Sequence, residues 1–473
     1  MKTVIVLALT LFVASVGFAA ELKAAGSSTA EDRTSLAITI YNSNIGLVKD
    51  QRTVRLKKGA GPLRFMDVAE QVMPATVHMK SLTSPDGLRI LEQNYEYDLL
   101  NPQKLLDKYV GREVKLYQKN PYTDKEELVR AKLLSNNSGA IYQIGDEITF
   151  GHPGRVLFPE VPDTLIARPT LVWLLANNGA AEQKIEASYL TGGITWRADY
   201  VITLNERDDR ADLAGWVTID NRSGGAYENA KVKLVAGDVN RVKDEADYQR
   251  KMYQAAVAEA AASQFRQESL FEYHMYSLQR PSTIKQNQIK QINFVAAEDI
   301  SVKKELLLRG DQSYYWNQIS EPIQKQKIGV YVEIANRKEN NLGVPLPKGI
   351  IRAYKKDQEG SLQFIGEDRV DHTPKDEKIR IRLGDAFDVV ANRKQTDWKK
   401  VARNIYEASY EISLRNHKKE DVVVSVLEPV PGDWSMLSAS HDYAKTSSRL
   451  IEFKVKVGRD QEAKLTYSVR MKY

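Results

Sequence analysis

The sequence predicts a mainly β fold: several antiparallel β-sandwich-like domains, a small β-barrel insertion and one long helical insertion. Three observations carry that expectation. Apolar and polar residues alternate with period two in run after run from Leu36 to the C-terminus, the spacing of strands laid against a core. The runs end at Asn, Gly and Pro clusters, which accept left-handed backbone or close turns through their own side chains. One stretch, 243–275, loses the alternation, contains neither Gly nor Pro, and is rich in Ala, Gln, Glu and Arg, a composition that favours helix.

In chain order, Met1-Lys2, the apolar run from Val4 to Val16 and the small residues up to Ala20 read as a secretory signal peptide. The apolar run of about 13 residues is shorter than the ~20 that a membrane-spanning helix needs, so the protein is expected to be periplasmic or extracellular and not membrane-spanning. With no Cys in the chain, neither a lipid-modified Cys nor a disulfide framework is available. Residues 21–34 are polar and expected to be disordered. An N-terminal β region follows over 35–100, starting with a hairpin about Asn42-Ser43-Asn44. Over 101–163, the short helix LLDKYV precedes five brief apolar runs divided by tight turns, which suggests a small five-stranded barrel.

The region 164–242 reads as a central sandwich organised around SYLTGGITWRADYVITLN and ADLAGWVTID. Leu213, Gly215, Val217 and Ile219 share one side of a strand, and Ala214, Trp216 and Thr218 the other, so both faces are expected to be covered, with Trp196 and Trp216 buried. Gly192-Gly193 marks a bulge or a close backbone approach. After the helical insertion the sandwich resumes over 276–400. Arg393, Lys394, Lys399, Lys400 and Arg403 read as a basic connector, a solvated loop or strand edge with an anion site as the alternative, and a C-terminal sandwich occupies 401–473. One grammar recurs through these regions: an apolar strand runs into Asn177, Asn221, Asn336 or Asn416, then a polar loop, then another strand. An Asn there stops a ladder by adopting left-handed backbone or an Asx-turn.

Residues that carry chemistry are sparse. The formal charge of +6 is close to neutral for 473 residues and gives little reason to expect nucleic acid. His78, His152, His274, His372, His417 and His441 show no zinc-ligand spacing. Asp371-His372 with Asp376, and Asp385 with Asp388, are the densest potential metal clusters, and both read as loop capping. Ser438, Ser440, His441 and Asp442 lack the strained elbow of a serine nucleophile. No cofactor motif is present, and neither catalytic, cofactor-binding nor metal residues are assigned. The exposed-looking triple Tyr314-Tyr315-Trp316 reads as a loop anchored by its rings, with a binding platform as the alternative.

The runs YLTGGITWRADYVITL, Asn221 to Asp238, FEYHMYSL, PLPKGIIRAYKKDQEGSLQFIGEDRVDHTPKDE and GDAFDV resemble the bacterial exported proteins grouped as domain of unknown function 4139, from about Ile90 to the C-terminus. That resemblance implies no activity. The expected role is a non-enzymatic scaffold or binding protein of the cell envelope, its partner an envelope protein or polysaccharide; a hydrolase acting on envelope glycan or peptide is the alternative, and would require paired carboxylates in a groove.

Overall fold

A computed structural model describes residues 26–119, 126–151, 154–162, 164–237, 265–270 and 273–473. Among them lie thirty strands and one α-helix, Pro102–Tyr109, so the fold is mainly β. The chain divides into two compact units. The first takes residues up to Ser35, Asp50–Glu70 and Pro74–Ser188; the second takes Leu36–Lys49, Gln71–Met73 and Tyr189–Tyr473.

In the first unit, a four-stranded sheet runs in the order Ser27–Ser28, Gly59–Met66, Thr170–Asn177, Leu88–Glu96. Its core holds Leu63, Phe65, Leu171 and Trp173, with Phe65 edge-on to Trp173 at 5.6 Å. The polar start, expected to be disordered over 21–34, is structured from Gly26 onward. Ser28 is buried, the Ser27–Ser28 strand pairs with Gly59–Met66, and the Asp67 carboxylate accepts the Ala30 N–H at 2.9 Å. Those bonds satisfy backbone groups that composition alone leaves to water.

The short helix expected at LLDKYV is present as Pro102–Tyr109, starting three residues earlier. The Asn101 side chain caps the Lys104 N–H at 2.9 Å and Pro102 fills the first turn, where its missing N–H costs nothing. The five following strands are present, in the order Glu147–Phe150, Ile141–Ile144, Glu126–Ser135, Glu113–Lys119, Arg155–Leu157. The expected barrel does not close: among the described residues the two outer strands each pair on one side only, which leaves an open antiparallel sheet. Turn spacing gives the number of strands but not the shear that closure demands.

The second unit contains a long sheet in the order Leu362–Val370, Gly349–Lys356, Ile194–Leu204, Arg210–Asn221, Gln288–Arg309, Ile323–Ala335, Lys378–Ala402, Ile405–Asn416, Gln461–Lys472, Asp433–Ala439. The pairing of Ile194–Leu204 with Gly349–Lys356 is parallel. Near one edge the chain passes close to another strand. A Cβ at Gly366, whose φ is +151°, would meet the Leu383 carbonyl oxygen at 2.2 Å, so only glycine fits. Gly193 has a similar reason: with φ +72° it leads into the Trp196 strand, and a Cβ would strike the Arg222 carbonyl at 2.7 Å.

Two expectations about elements are corrected here. Of the helix expected over 243–275, residues 243–264 lie outside the described residues, while Phe265–Leu270 and Tyr273–Leu278 form an antiparallel strand pair. Pairing lets Tyr276 bury its ring edge-on between Trp196, at 6.3 Å, and Phe294, at 5.3 Å, and that tertiary packing overrides local helix propensity. The basic connector is strand, not loop, up to Ala402: Arg393, Lys394, Lys399 and Lys400 lie on Lys378–Ala402 and Arg403 just beyond it. Lys394, Lys399, Lys400 and Arg403 are exposed as expected, but Arg393 is 1% exposed.

The four asparagines at strand ends are buried, and each closes its own loop. Asn336 donates to the carbonyls of Val344 at 2.7 Å and Pro374 at 2.6 Å, while its Oδ1 accepts the Val344 N–H at 3.0 Å. Asn221 spans Gly225 and Lys285, and Asn416 spans Glu420 and Gly458, in the same manner. In the first unit Asn177 donates to Ala180 and accepts from Gly179 and Gln183. A side-chain amide thus replaces the missing ladder partners. Asn336→Ala is expected to cost about 2–3 kcal/mol in urea unfolding, because it strands buried backbone groups without water.

Candidate functional site

Alternation places Trp196, Ala198 and Tyr200 on the inner face of the Ile194–Leu204 strand and Arg197, Asp199 and Val201 on the outer face. The register carries the outer face across the sheet. Asp199 lies opposite Trp216, and Trp216 opposite Asn293. Arg197 lies opposite Thr218, and Thr218 opposite Gln291; on the other side, Arg352 lies beside Val201 and opposite Glu367.

Trp216 is 39% exposed whereas Trp196 is 1% exposed, so the expectation that both are buried holds for one of them. The physical reason is visible in the neighbours. Trp216 has Ala214 and Thr218 at i±2 and a polar Asp199 across the ladder, and none of these can cover an indole.

Around the exposed ring the polar groups fix one another. Asp199 Oδ2 accepts from Thr218 Oγ1 at 2.7 Å and Arg197 Nε at 3.1 Å, and Oδ1 accepts from Arg352 Nη1 at 3.4 Å. Arg352 also reaches Glu367 at 3.2 Å, and Gln291 donates to Thr218 Oγ1 at 3.2 Å. Asp199 itself is 8% exposed, which holds the network from below while Trp216, Arg197 and Gln291 meet solvent. An apolar ring face flanked by oriented donors and acceptors can stack on the C–H face of a sugar and bond its hydroxyls.

A second feature of this unit is a cavity of about 290 Å³ between Leu204, Val330, Val332 and Leu383, with Asp208 and Asp385 at its wall. Lys304 and Lys355 hold Asp208 at 2.6 and 2.5 Å. Burial alone would push its carboxyl up, but the two ammonium groups outweigh burial and keep it below the usual carboxylate range. Asp385 behaves in the same way: burial is overcome by Arg382 at 2.6 Å and Lys327 at 3.3 Å. Both acids are therefore held charged, the opposite of what a general acid in glycoside cleavage requires.

The remaining sequence candidates separate cleanly. Tyr315 is fully buried, and its hydroxyl donates to Glu428 Oε2 at 2.8 Å; Trp316 is 56% exposed. The triple is thus anchored by its middle ring. Arg393 makes a two-pronged bond to Glu428, at 2.6 and 3.0 Å, and its guanidinium lies 4.9 Å over the Tyr314 ring. Ser440 Oγ lies 2.9 Å from the adjacent His441 Nδ1, but it also accepts the Thr466 N–H, so it is tied into the strand edge. His372 Nδ1 accepts the Lys348 N–H at 3.2 Å, and the Asp376 N–H bonds the Asn336 carbonyl, whereas Asp385 and Asp388 lie within the strand Lys378–Ala402 and not in a loop. Among the described residues, no group of His, Cys, Asp or Glu is arranged to hold a metal ion.

A protein-family model described as a domain of unknown function, DUF4139, matches residues 185–473, more than half of the chain. The chain belongs to the DUF4139 family. The DUF4139 match begins well after Ile90, so most of the first unit, including the five-stranded sheet, precedes it. Trp216 with its polar surround, the cavity and the Arg393–Glu428 pair all fall inside it. No curated relative matches the chain. Sequence reasoning missed the exposure of Trp216; the signal was the Arg197-x-Asp199 alternation, which the hairpin register sets beside it.

Proposed function

We propose that this DUF4139 member is an exported, non-enzymatic binding or scaffold protein of the bacterial cell envelope, built of sandwich-like β layers, and that the Trp216 face takes an envelope glycan. The observation that carries this reading is an indole 39% exposed at the centre of a strand and ringed by mutually bonded Asp199, Arg197, Arg352 and Thr218. Side chains locked in this way lose little entropy when a ligand arrives, which is what a recognition surface needs. The reading draws its compartment from the signal-peptide pattern at Met1–Ala20. The cavity lends no support to the hydrolase alternative, since neither Asp208 nor Asp385 has the raised pKa of a general acid.

The test is retention of the purified protein on cell-envelope polysaccharide, compared with Trp216→Ala. Loss of the indole is expected to weaken retention by about tenfold or more, equivalent to about 1.4 kcal/mol. Equal retention of the two proteins would exclude this face as the binding site.

A further inference from the structure

The five-stranded sheet of the first unit is covered on one face. There Leu105, Leu106 and Tyr109 of the helix pack on Val114, Leu116, Ala131, Leu133 and Tyr142. The register defines what the opposite face carries. Lys115 lies between Arg130 and Leu157, Tyr117 between Leu128 and Arg155, and Lys132 between Glu113 and Gln143. On the next strand Ile148 lies opposite Gln143 and Phe150 opposite Ile141.

Two properties coincide on this face. It exposes large apolar side chains: Phe150 by 86%, Ile148 by 64%, Leu128 by 61% and Leu157 by 42%. It also carries Lys115, Arg130, Lys132 and Arg155, all exposed and none ion-paired among the described residues. In the second unit, by contrast, sheet cations are commonly neutralised, as Lys304 and Lys355 are by Asp208, and Arg470 by Glu407. The acids at the outward positions are Glu113 and Glu126, and Glu126 already accepts the Tyr117 hydroxyl at 2.7 Å. On the outward face the cations therefore outnumber the acids around an uncovered apolar patch.

We propose that this face docks the protein on an anionic lipid surface. Leu128, Ile148, Leu157 and Phe150 enter the acyl boundary, while the long stems of the lysines and arginines reach outward to phosphate headgroups. A soluble acidic glycan would match the charge but gain nothing from three aliphatic side chains. This proposal does not depend on the glycan reading of Trp216, which lies in the other unit.

Co-sedimentation of the purified full chain with phosphatidylcholine vesicles, with and without phosphatidylglycerol, tests it. Binding is expected to the anionic vesicles only, and to weaken as salt rises. Each cation near such a surface contributes about a fivefold factor in partitioning, so Lys115→Glu with Arg130→Glu should lower it by more than about 25-fold. Phe150→Ser should lower it by about tenfold through lost insertion, and Trp216→Ala should leave it unchanged. All these side chains are exposed, and wild-type circular dichroism of each variant secures the comparison; the salt series needs no variant at all. Equal binding to neutral vesicles, absence of binding to anionic ones, or displacement of the protein from vesicles by a soluble acidic polysaccharide or protein would each overturn the proposal.

Discussion

Glu428→Leu is expected to lower the stability of the second unit by about 3–5 kcal/mol, the cost of leaving a buried guanidinium without its counter-ion. Arg393 and Glu428 both have fully enclosed side chains and meet at 2.6 Å. Burial by itself would lower the Arg393 pKa, but the Glu428 carboxylate more than reverses that, so the guanidinium stays charged and cannot escape by losing its proton. The Tyr315 and Tyr467 hydroxyls also lean on Glu428 Oε2, at 2.8 and 3.0 Å, and burial pushes both phenols well above their ordinary value. Removing the carboxylate therefore leaves a cation without its counter-ion and takes the acceptor from the two hydroxyls, which keep their mutual bond at 2.8 Å, in a core lined by Tyr410, Val424, Val426 and Phe453. Replacing both partners, Arg393→Met with Glu428→Leu, should cost less than Glu428→Leu alone, because no unpaired charge remains. Urea unfolding of the single and double variants reads the difference. A double variant as unstable as the sum of the singles would show that the pair acts through packing and not through charge.

Trp196→Ala is expected to cost about 3–5 kcal/mol, and Trp216→Ala about 1 kcal/mol or less. The two tryptophans occupy neighbouring strands of the same hairpin, and their fates differ because they point to opposite faces. Trp196 is 1% exposed, donates its indole N–H to the Val235 carbonyl at 3.1 Å and stands edge-on to Tyr276. Its truncation opens a cavity and removes a buried hydrogen bond. Trp216 has no such enclosure. Thermal melts of the two variants, measured beside glycan retention, separate a structural role from a recognition role: Trp196→Ala should lose stability, and Trp216→Ala should lose retention while melting close to wild type. A large destabilisation by Trp216→Ala would place that ring in the core after all.

The sequence by itself determined what is local. Alternation gave the β class and the side of the strand each residue takes. LLDKYV marked a short helix, the strand-ending asparagines marked loops that their amides close, and the runs YLTGGITWRADYVITL and GDAFDV marked the family. Tertiary structure alone decided what covers each side. Period two says that Trp196 and Trp216 project from their strands, but not which face receives a second layer. Arg393 reads as part of a basic run until Glu428, 35 residues onward, arrives beside it. Phe265–Leu270 carries the composition of a helix until Tyr273–Leu278 pairs with it. Five short strands imply a barrel until the outer two prove unpaired with each other. In each case the deciding energy is a contact between segments far apart in the chain, and no local propensity records it.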